Sequence, residues 1–300
     1  MVEHEAKGAL MRRAAWASLL VSLFLTALKL GAYLATNSVA MLASFADSAM
    51  DLFTTTLNLV AIHSALQPAD REHRFGHGKA EPLAGMAQFA FIAGSAVFLI
   101  IQGAERLAHP EAVTNSTLAL AVMGIGIVCA IGIIVYQRRV IADTGSIALK
   151  GDAAQYFGDL ATNIGVVIAI LLGKYLHWTL ADPIIALVVA GMLVWNGYGV
   201  FRASYDQLMD RELPDDERDR IKAIVRAHPE VMALHDLRTR AAGLHAFIQF
   251  HIELDPAINL LRAHQISDAV EQQLCAAFPH AEVIIHQDPA GVEDTAAPAA

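Results

Sequence analysis

The sequence has little charge and little cysteine for its length. Only 17% of its 300 residues are Asp, Glu, Lys or Arg, whereas soluble domains average about 25%. Because 55% of the residues are hydrophobic, the composition argues against an ordinary cytosolic enzyme. Two isolated cysteines, Cys129 and Cys275, exclude a disulfide framework and a cysteine-rich metal site. The formal net charge of −9 leaves no excess of positive charge, which argues against nucleic-acid binding.

Charge and apolar residues divide the chain into two parts. Residues 1–209 have a net charge of −1 and contain six apolar segments, each near the ~20 residues that cross a bilayer. The segments are 14–35, 39–66, 83–107, 117–137, 153–173 and 179–201. Residues 210–300 have a net charge of −8. We predict an all-α six-helix transmembrane domain over 1–209, a soluble domain over 210–290 and a disordered tail over 291–300. A very apolar soluble bundle is the alternative.

Basic residues are concentrated on one side of the apolar segments. The N-terminus and the loops at 67–82 and 138–152 contain Lys and Arg, whereas the loops at 36–38 and 108–116 contain neither. The loop at 174–178 holds a single lysine. Because basic loops stay on the cytoplasmic side, both termini are predicted to be cytoplasmic. The first segment begins like a signal peptide, but five more apolar segments follow, so we interpret it as a retained span.

The soluble part predicts a small α+β domain with the order α-β-β-α-β. Pro214 followed by three acidic residues is typical of a helix start. Alternation over 246–254 indicates a half-buried strand with Phe247 and His251 on its polar face. The remaining predicted elements are a strand at 233–241, a helix at 259–277 and a strand at 283–286.

Two apolar segments contain carboxylates, which are costly inside a bilayer and therefore indicate function. Asp47 and Asp51 are four residues apart in the second segment, and Gln155 and Asp159 are four apart in the fifth. On a helix, each pair shares one face. Adjacent carboxylates repel each other unless a cation or a shared proton lies between them. The two pairs therefore predict a four-cornered metal site. A polar contact between helices is the alternative, above all for Gln155.

Two further groups of potential metal ligands lie outside these segments. Asp70, His73 and His77 fall within eight residues of a loop, and imidazole with carboxylate suits Zn²⁺ and other first-row divalent ions. The second group lies on the predicted elements of the soluble part and consists of His235, His251, His264, His286 and Asp288. A chance cluster in a polar loop and solvated surface histidines are the respective alternatives. His63, at the end of the second segment, is interpreted as interfacial.

These motifs occur together in the order of a known family. Asp47-x-x-x-Asp51, the loop QPADREHRFGHGKAE and the strings HDLRTR, IQFHIEL and VIIHQDP resemble the cation diffusion facilitator family, in its bacterial zinc and iron efflux branch. The resemblance covers about residues 10 to 290. It implies a homodimer of six-helix membrane domains, each followed by a cytoplasmic ferredoxin-like αββαβ domain. It also implies efflux of divalent metal in exchange for protons by alternating access across a bacterial inner membrane.

The resemblance implies roles for individual residues as well. The transport site would consist of Asp47, Asp51, Gln155 and Asp159. The loop site would consist of Asp70, His73 and His77. A binuclear cytoplasmic site would consist of His235, His251, His264, His286 and Asp288, with Gln287 nearby. Lys79 and Asp210 match residues of a charge interlock between subunits. Zn²⁺ is expected in the loop and cytoplasmic sites, and Zn²⁺, Fe²⁺, Mn²⁺ or Cd²⁺ as cargo.

Gln155 departs from the family pattern, since zinc transporters usually have histidine at this position. Three carboxylates with an amide oxygen form an all-oxygen ligand set, which relatively favours Mn²⁺ or Fe²⁺ over Zn²⁺. Loss of the imidazole also removes a group that titrates near neutral pH. Proton coupling would then depend on the three carboxylates.

Three other functions use similar residues. A metal-gated channel would bind the same ions without proton coupling, and a metal sensor would bind them without transport. A membrane-embedded metallohydrolase is disfavoured, because the sequence contains no HExxH, GxSxG or P-loop string.

Overall fold

The computed structural model describes residues 2–36, 39–108, 117–176, 178 and 180–291. The described chain forms two compact units, Val2–Leu208 and a second that begins at Met209. Parts of the loops used for the predicted topology, and nearly all of the predicted tail, lie outside the described residues. These are 37–38, 109–116, 177, 179 and 292–300.

Six long helices build the first unit and confirm the predicted all-α architecture. They are α1 (Val2–Thr36), α2 (Val39–Ala65), α3 (Ala80–Ala108), α4 (Thr117–Thr144), α5 (Ile147–Leu176) and α6 (Ala181–Leu208). Four of them, α1, α3, α4 and α6, are long and apolar enough to cross a membrane. The other two, α2 and α5, carry the paired polar residues. The chain is a multi-pass membrane protein.

The helical unit has a polar interior and an apolar exterior. Large apolar side chains such as Trp195 and Val128 are 82% and 71% exposed. Among the described residues, several of the most deeply buried side chains are instead polar; they include Ser18, Thr55, Asn58, Gln88, Gln137 and Asp152. Polar groups in a membrane bundle face its interior because lipid offers them no hydrogen bonds. The polar interior lies where α2 and α5 contribute their carboxylates.

The second unit has the predicted element order. Its elements are α7 (Asp215–Arg226), β1 (Ala233–Ala242), β2 (His245–Leu254), α8 (Leu260–Ala277) and β3 (Ala281–Pro289). The strand order is β1-β2-β3; β2 pairs antiparallel with β1 and parallel with β3. Acidic residues occupy the first turn of α7, and the Asn259 side chain caps α8 by accepting from the Arg262 N–H at 2.9 Å.

One face of this sheet forms the core of the second unit. Ile248, Phe250 and Ile252 of β2 are at most 1% exposed and pack with Ile221 of α7 and Val270 of α8. Side chains alternate along a strand, so His251 lies on the opposite face.

Phe247, predicted on the polar face of its strand, is buried there rather than exposed to water. Phe247 is buried, with the Arg240 guanidinium carbon 4.4 Å from its ring centroid. The cation covers the ring and shields it from water.

Replacement of Ile252 by Ala is expected to destabilise the second unit by about 2–5 kcal/mol, because it leaves a cavity in a fully buried core. Hydrogen–deuterium exchange of the β2 amides in the full-length protein measures the effect. Leu261, 66% exposed on α8, provides the control: Leu261→Ala should leave exchange in β2 close to that of the wild type. Equal exchange rates in the two variants would contradict the placement of the core.

Candidate metal centres

Asp51 of α2 and Gln155 of α5 are half-buried and in contact, whereas Asp47 of α2 is exposed. The Gln155 amide nitrogen donates to Asp51 Oδ1. The Asp159 carboxylate lies within electrostatic range of Asp51 and Asp47. The structure therefore places Gln155 against Asp51, with the carboxylates of Asp47 and Asp159 within electrostatic range of Asp51. Such a group attracts a cation.

A lysine shares this region. Lys29 of α1 donates its ammonium to the Ser48 hydroxyl at 2.6 Å, and it lies within electrostatic range of Asp47, Asp51 and Asp159. Its positive charge partly compensates the carboxylates. Lys29 is not among the residues predicted from the sequence, although a charged residue within an apolar segment is itself a signal of function.

The Gln155 amide is held by several partners. Its oxygen accepts from the Gln88 amide and from the Thr54 hydroxyl at 2.8 Å, whose single proton is shared with the Asp51 carbonyl oxygen at 2.9 Å. Its NH₂ group is thus the end that faces Asp51. The sequence predicts Gln155 as an oxygen donor to a metal, whereas in the structure its oxygen faces Thr54 and Gln88.

The loop between α2 and α3 forms a second cluster. The Asp70 carboxylate lies 3.4 Å from His73 Nδ1 and 3.3 Å from His77 Nε2. Potential ligand atoms of all three residues lie within 4.8 Å of one another. The backbone N–H of His73, and then that of Glu72, donate to Asp70 and lower the pKa of its carboxyl. An ionised carboxylate beside two imidazoles is a site suited to Zn²⁺.

The third cluster is a row of histidines across the sheet. His235 pairs with His251, and His251 pairs with His286, so the three residues occupy adjacent positions on β1, β2 and β3. Neighbouring ring centroids are 5.1 and 4.6 Å apart. The row lies on the face opposite the apolar core.

Asp288 is at the centre of this row. Its Oδ2 lies 2.9 Å from His251 Nδ1 and 3.4 Å from His235 Nε2, and its Oδ1 lies 3.2 Å from His286 Nε2. One carboxylate therefore contacts three imidazoles. His235, His251 and Asp288 have ligand atoms within 4.8 Å of one another and form a candidate metal centre. Gln287 turns to the other side and donates to the Ser267 hydroxyl at 2.7 Å.

His264 is not part of this group in the described chain. It is exposed on α8 and lies 3.5 Å from Asp268. Helix α8 packs on the apolar face of the sheet, whereas the histidine row is on the other face. The sequence could not separate the two faces for a helical residue, because helical spacing does not say on which side of a sheet the helix packs.

Two acidic residues near the row were missed. Asp236 Oδ2 lies 3.9 Å from His251 Nε2, and Glu253 Oε1 lies 3.8 Å from His235 Nε2. The β1–β2 register shifts beside Asp236, whose φ of 48° is uncommon for a residue other than glycine. A positive φ at Asp236 cannot be read from the sequence.

The fold and its three clusters define a membrane protein that binds divalent cations. A model described as the cation efflux transmembrane domain matches residues 15–209, and one described as the cation efflux protein cytoplasmic domain matches residues 213–290. The chain belongs to the cation efflux family, which confirms the resemblance seen in its motifs.

Curated relatives match along nearly the whole chain. The cation-efflux pump FieF of Shewanella oneidensis is 44% identical over 285 residues, which are 95% of this chain and 96% of that protein. FieF of Cronobacter sakazakii is 42% identical over 289 residues, 95% of each chain. Among solved structures, the metal-bound C-terminal domain of the CzcD transporter from Thermotoga maritima matches 26% of this chain and 93% of that chain, with 29% identity and a TM-score of 0.25.

Replacement of Asp288 by Asn is expected to weaken Zn²⁺ binding at the histidine row roughly 10- to 100-fold, because the row loses the one charge that contacts all three imidazoles. Calorimetric titration of the full-length protein measures the affinity. Asp219→Asn is the control, since Asp219 is an exposed carboxylate of α7 that pairs with Lys222 at 3.0 Å and contacts no member of the row. If both variants weakened Zn²⁺ binding equally, the row would not be the site.

Proposed function

We propose that the protein exports divalent metal cations from the cytoplasm in exchange for protons, through a transport site formed by Asp47, Asp51 and Asp159 with Gln155 beside it. The observation that carries this proposal is the group of three neighbouring carboxylates on α2 and α5 of a cation efflux family member. Its relatives are named as efflux pumps, which favours transport over a purely sensory role.

The charge of the site provides a route to exchange. A divalent cation that enters from the cytoplasm displaces protons and neutralises the carboxylates. Neutralisation lowers the cost of closing the site to the cytoplasm, because fewer uncompensated charges are buried. Protons from the other side then compete with the metal for the same oxygens. Such a site must bind well enough to load and weakly enough to release.

The ligand chemistry favours a hard cargo ion. The charged side chains at this site are three carboxylates and the Lys29 ammonium, and the neutral polar groups beside them are those of Ser48, Thr54 and Gln155. Oxygen ligands relatively favour Mn²⁺ and Fe²⁺, whereas imidazole would shift the preference towards Zn²⁺. We therefore propose Mn²⁺ or Fe²⁺ ahead of Zn²⁺ and Cd²⁺ as cargo, with Zn²⁺ in the loop and cytoplasmic sites.

The cytoplasmic domain is proposed to link two copies of the chain. Its histidine row is on a face that also exposes Ile284, which is 49% accessible. His264 lies on the other side of the sheet, so it could join the ligands of this row only from a second copy. Metal bound there would hold the two copies together, as the family's homodimer implies.

The family resemblance and the charge pattern also suggest a contact between subunits and an orientation in the membrane. Lys79 and Asp210 would form the charge interlock between subunits; within its own chain, Asp210 lies 3.4 Å from the Arg240 guanidinium. The basic loops favour cytoplasmic termini in a bacterial inner membrane.

Proton counterflow in reconstituted liposomes tests the function. An internal pH indicator is expected to report proton movement when Mn²⁺, Fe²⁺, Zn²⁺ or Cd²⁺ is added outside, and Asp51→Ala and Asp159→Ala should abolish it while the dimer persists. Metal flux without proton movement would instead indicate a channel, and binding without flux would indicate a sensor. Normal transport by Asp159→Ala would contradict the proposed site.

Replacement of Gln155 by His tests the origin of the metal preference. In the same liposomes, Gln155→His is expected to raise the rate with Zn²⁺ relative to Mn²⁺ and to make the rate depend on pH near neutrality, because imidazole is a better Zn²⁺ ligand and titrates there. Asn196→His is the control: Asn196 is a half-buried amide of α6 that donates to the Ala154 carbonyl and contacts none of the carboxylates. If metal preference and pH profile stayed unchanged in Gln155→His, Gln155 would not set the preference.

A further inference from the structure

A fourth carboxylate is buried next to the transport site, and the proposed exchange does not use it. Asp152 lies on α5 and is 1% exposed. Its oxygens accept hydrogen bonds from the Thr55 hydroxyl at 3.1 Å, the Gln137 amide at 2.5 Å, the Ser18 hydroxyl and the Asn58 amide. All four donors are neutral groups that already occupy the carboxylate. Asp152 is therefore an anchor for donors and has no oxygen left facing a cation.

A chain of amides runs from this anchor to the transport site. The Asn58 amide nitrogen donates to Gln88 Oε1 at 3.2 Å. The Gln88 amide nitrogen donates to Gln155 Oε1, and the Gln155 amide nitrogen donates to Asp51 Oδ1. Asn58 and Gln88 are 3% and 2% exposed. Three consecutive amides thus connect Asp152 with Asp51.

The carboxylates at the two ends determine the direction of every amide. An ionised carboxylate only accepts hydrogen bonds, so an NH₂ group must face it at each end. Reversing any one amide would place oxygen against oxygen or NH₂ against NH₂. Because Asn58 and Gln88 are buried, water cannot repair a reversed contact between them, and the loss there is that of an unsatisfied buried group.

The network fixes which end of the Gln155 amide faces Asp51. Its NH₂ group donates to Asp51, while its oxygen is engaged by Thr54 and Gln88. A cation at Asp51 attracts the oxygen and repels the NH₂ group. The oxygen could reach such a cation only after the amide turns by half a rotation and gives up its hydrogen bonds.

We propose that Gln88 is a positioning residue which, together with Asn58 and Asp152, holds Gln155 in its donor orientation and so weakens metal binding at the transport site. The inference rests on the proposed function, because it concerns the affinity of that site. It assigns the amide chain a role in release: the hydrogen bonds broken when metal enters form again when metal leaves.

Metal titration of variants tests this role. Mn²⁺ binding to the full-length protein in nanodiscs is measured by calorimetry, and the isotherm of Asp51→Ala is subtracted to isolate the transport site. Gln88→Met keeps the volume but removes the donor to Gln155, and is expected to tighten Mn²⁺ binding about five-fold, the factor of one hydrogen bond. Thr54→Val removes the hydroxyl that Gln155 shares with the Asp51 carbonyl, with almost no change of shape, and should act in the same direction but less strongly.

A second background separates positioning from a general structural effect. In Gln155→Ala, the change Gln88→Met should leave the Mn²⁺ affinity unaltered, because Gln88 acts only through Gln155. Asn196→Leu is the matched control: its amide donates to the Ala154 carbonyl at 3.4 Å, outside the chain of amides. It should leave the affinity unchanged.

The proposal is overturned if neither Gln88→Met nor Thr54→Val tightens Mn²⁺ binding. It is equally overturned if the effect of Gln88→Met persists at full size in Gln155→Ala. A different result would show that the transport site itself is wrongly placed. In that case Asp51→Ala would bind as much Mn²⁺ as the wild type, whatever the variants at Gln88 do.

Discussion

The cost of negative charge in a low-dielectric interior governs the construction of the membrane domain. A carboxylate transferred from water into such an environment loses a large hydration energy unless cations or hydrogen-bond donors replace the water. The domain contains Asp47, Asp51, Asp152 and Asp159 within one bundle. The polar side chains of the interior supply hydrogen-bond donors, and Lys29 supplies a cation. The apolar exterior faces the lipid, which can supply neither.

The responses differ between the carboxylates, and the difference separates structure from function. Asp152 accepts hydrogen bonds from four neutral donors, which gives it a structural role in the bundle. Asp47, Asp51 and Asp159 lie close enough to repel one another and share Lys29 as partial compensation. A group that is compensated only in part retains affinity for a cation, which is the property that transport needs. The same comparison explains why counting acidic residues in apolar segments does not identify ligands.

In the cytoplasmic domain, the cost of placing charged and polar side chains is smaller. Its histidine row lies on the accessible face of a sheet whose other face carries the core, so water already solvates the ligands. Strand pairing alone aligns His235, His251 and His286, and the position of Asp288 two residues beyond His286 places it on the same face. The apolar core and the candidate metal ligands therefore lie on opposite faces of β2.

The sequence predicted those features that depend on local periodicity. Four-residue spacing put Asp47 with Asp51 and Gln155 with Asp159 on shared helix faces, and strand alternation separated His251 from the core. It could not predict features that depend on packing between distant segments. The side of the sheet covered by α8 decides where His264 lies, and the contact with Arg240 decides that Phe247 is buried. Asn58 and Gln88 look like ordinary helical polar residues until α2, α3 and α5 bring them into contact.

The orientation of one amide shows why such packing matters for function. A glutamine offers an acceptor at one end and a donor at the other, so its identity alone does not tell whether it attracts or repels a cation. Around Gln155 that choice is made by neighbours on two other helices and ultimately by Asp152. Metal preference at this site is therefore a property of the hydrogen-bond network as a whole. A histidine at the same position would relate differently to this network. Its donor and acceptor are two ring nitrogens that exchange roles by moving a proton, whereas those of an amide exchange places by a half rotation. Substitution of the usual histidine by Gln155 thus alters more than the hardness of one ligand: it makes the affinity of the site depend on residues that never touch the metal.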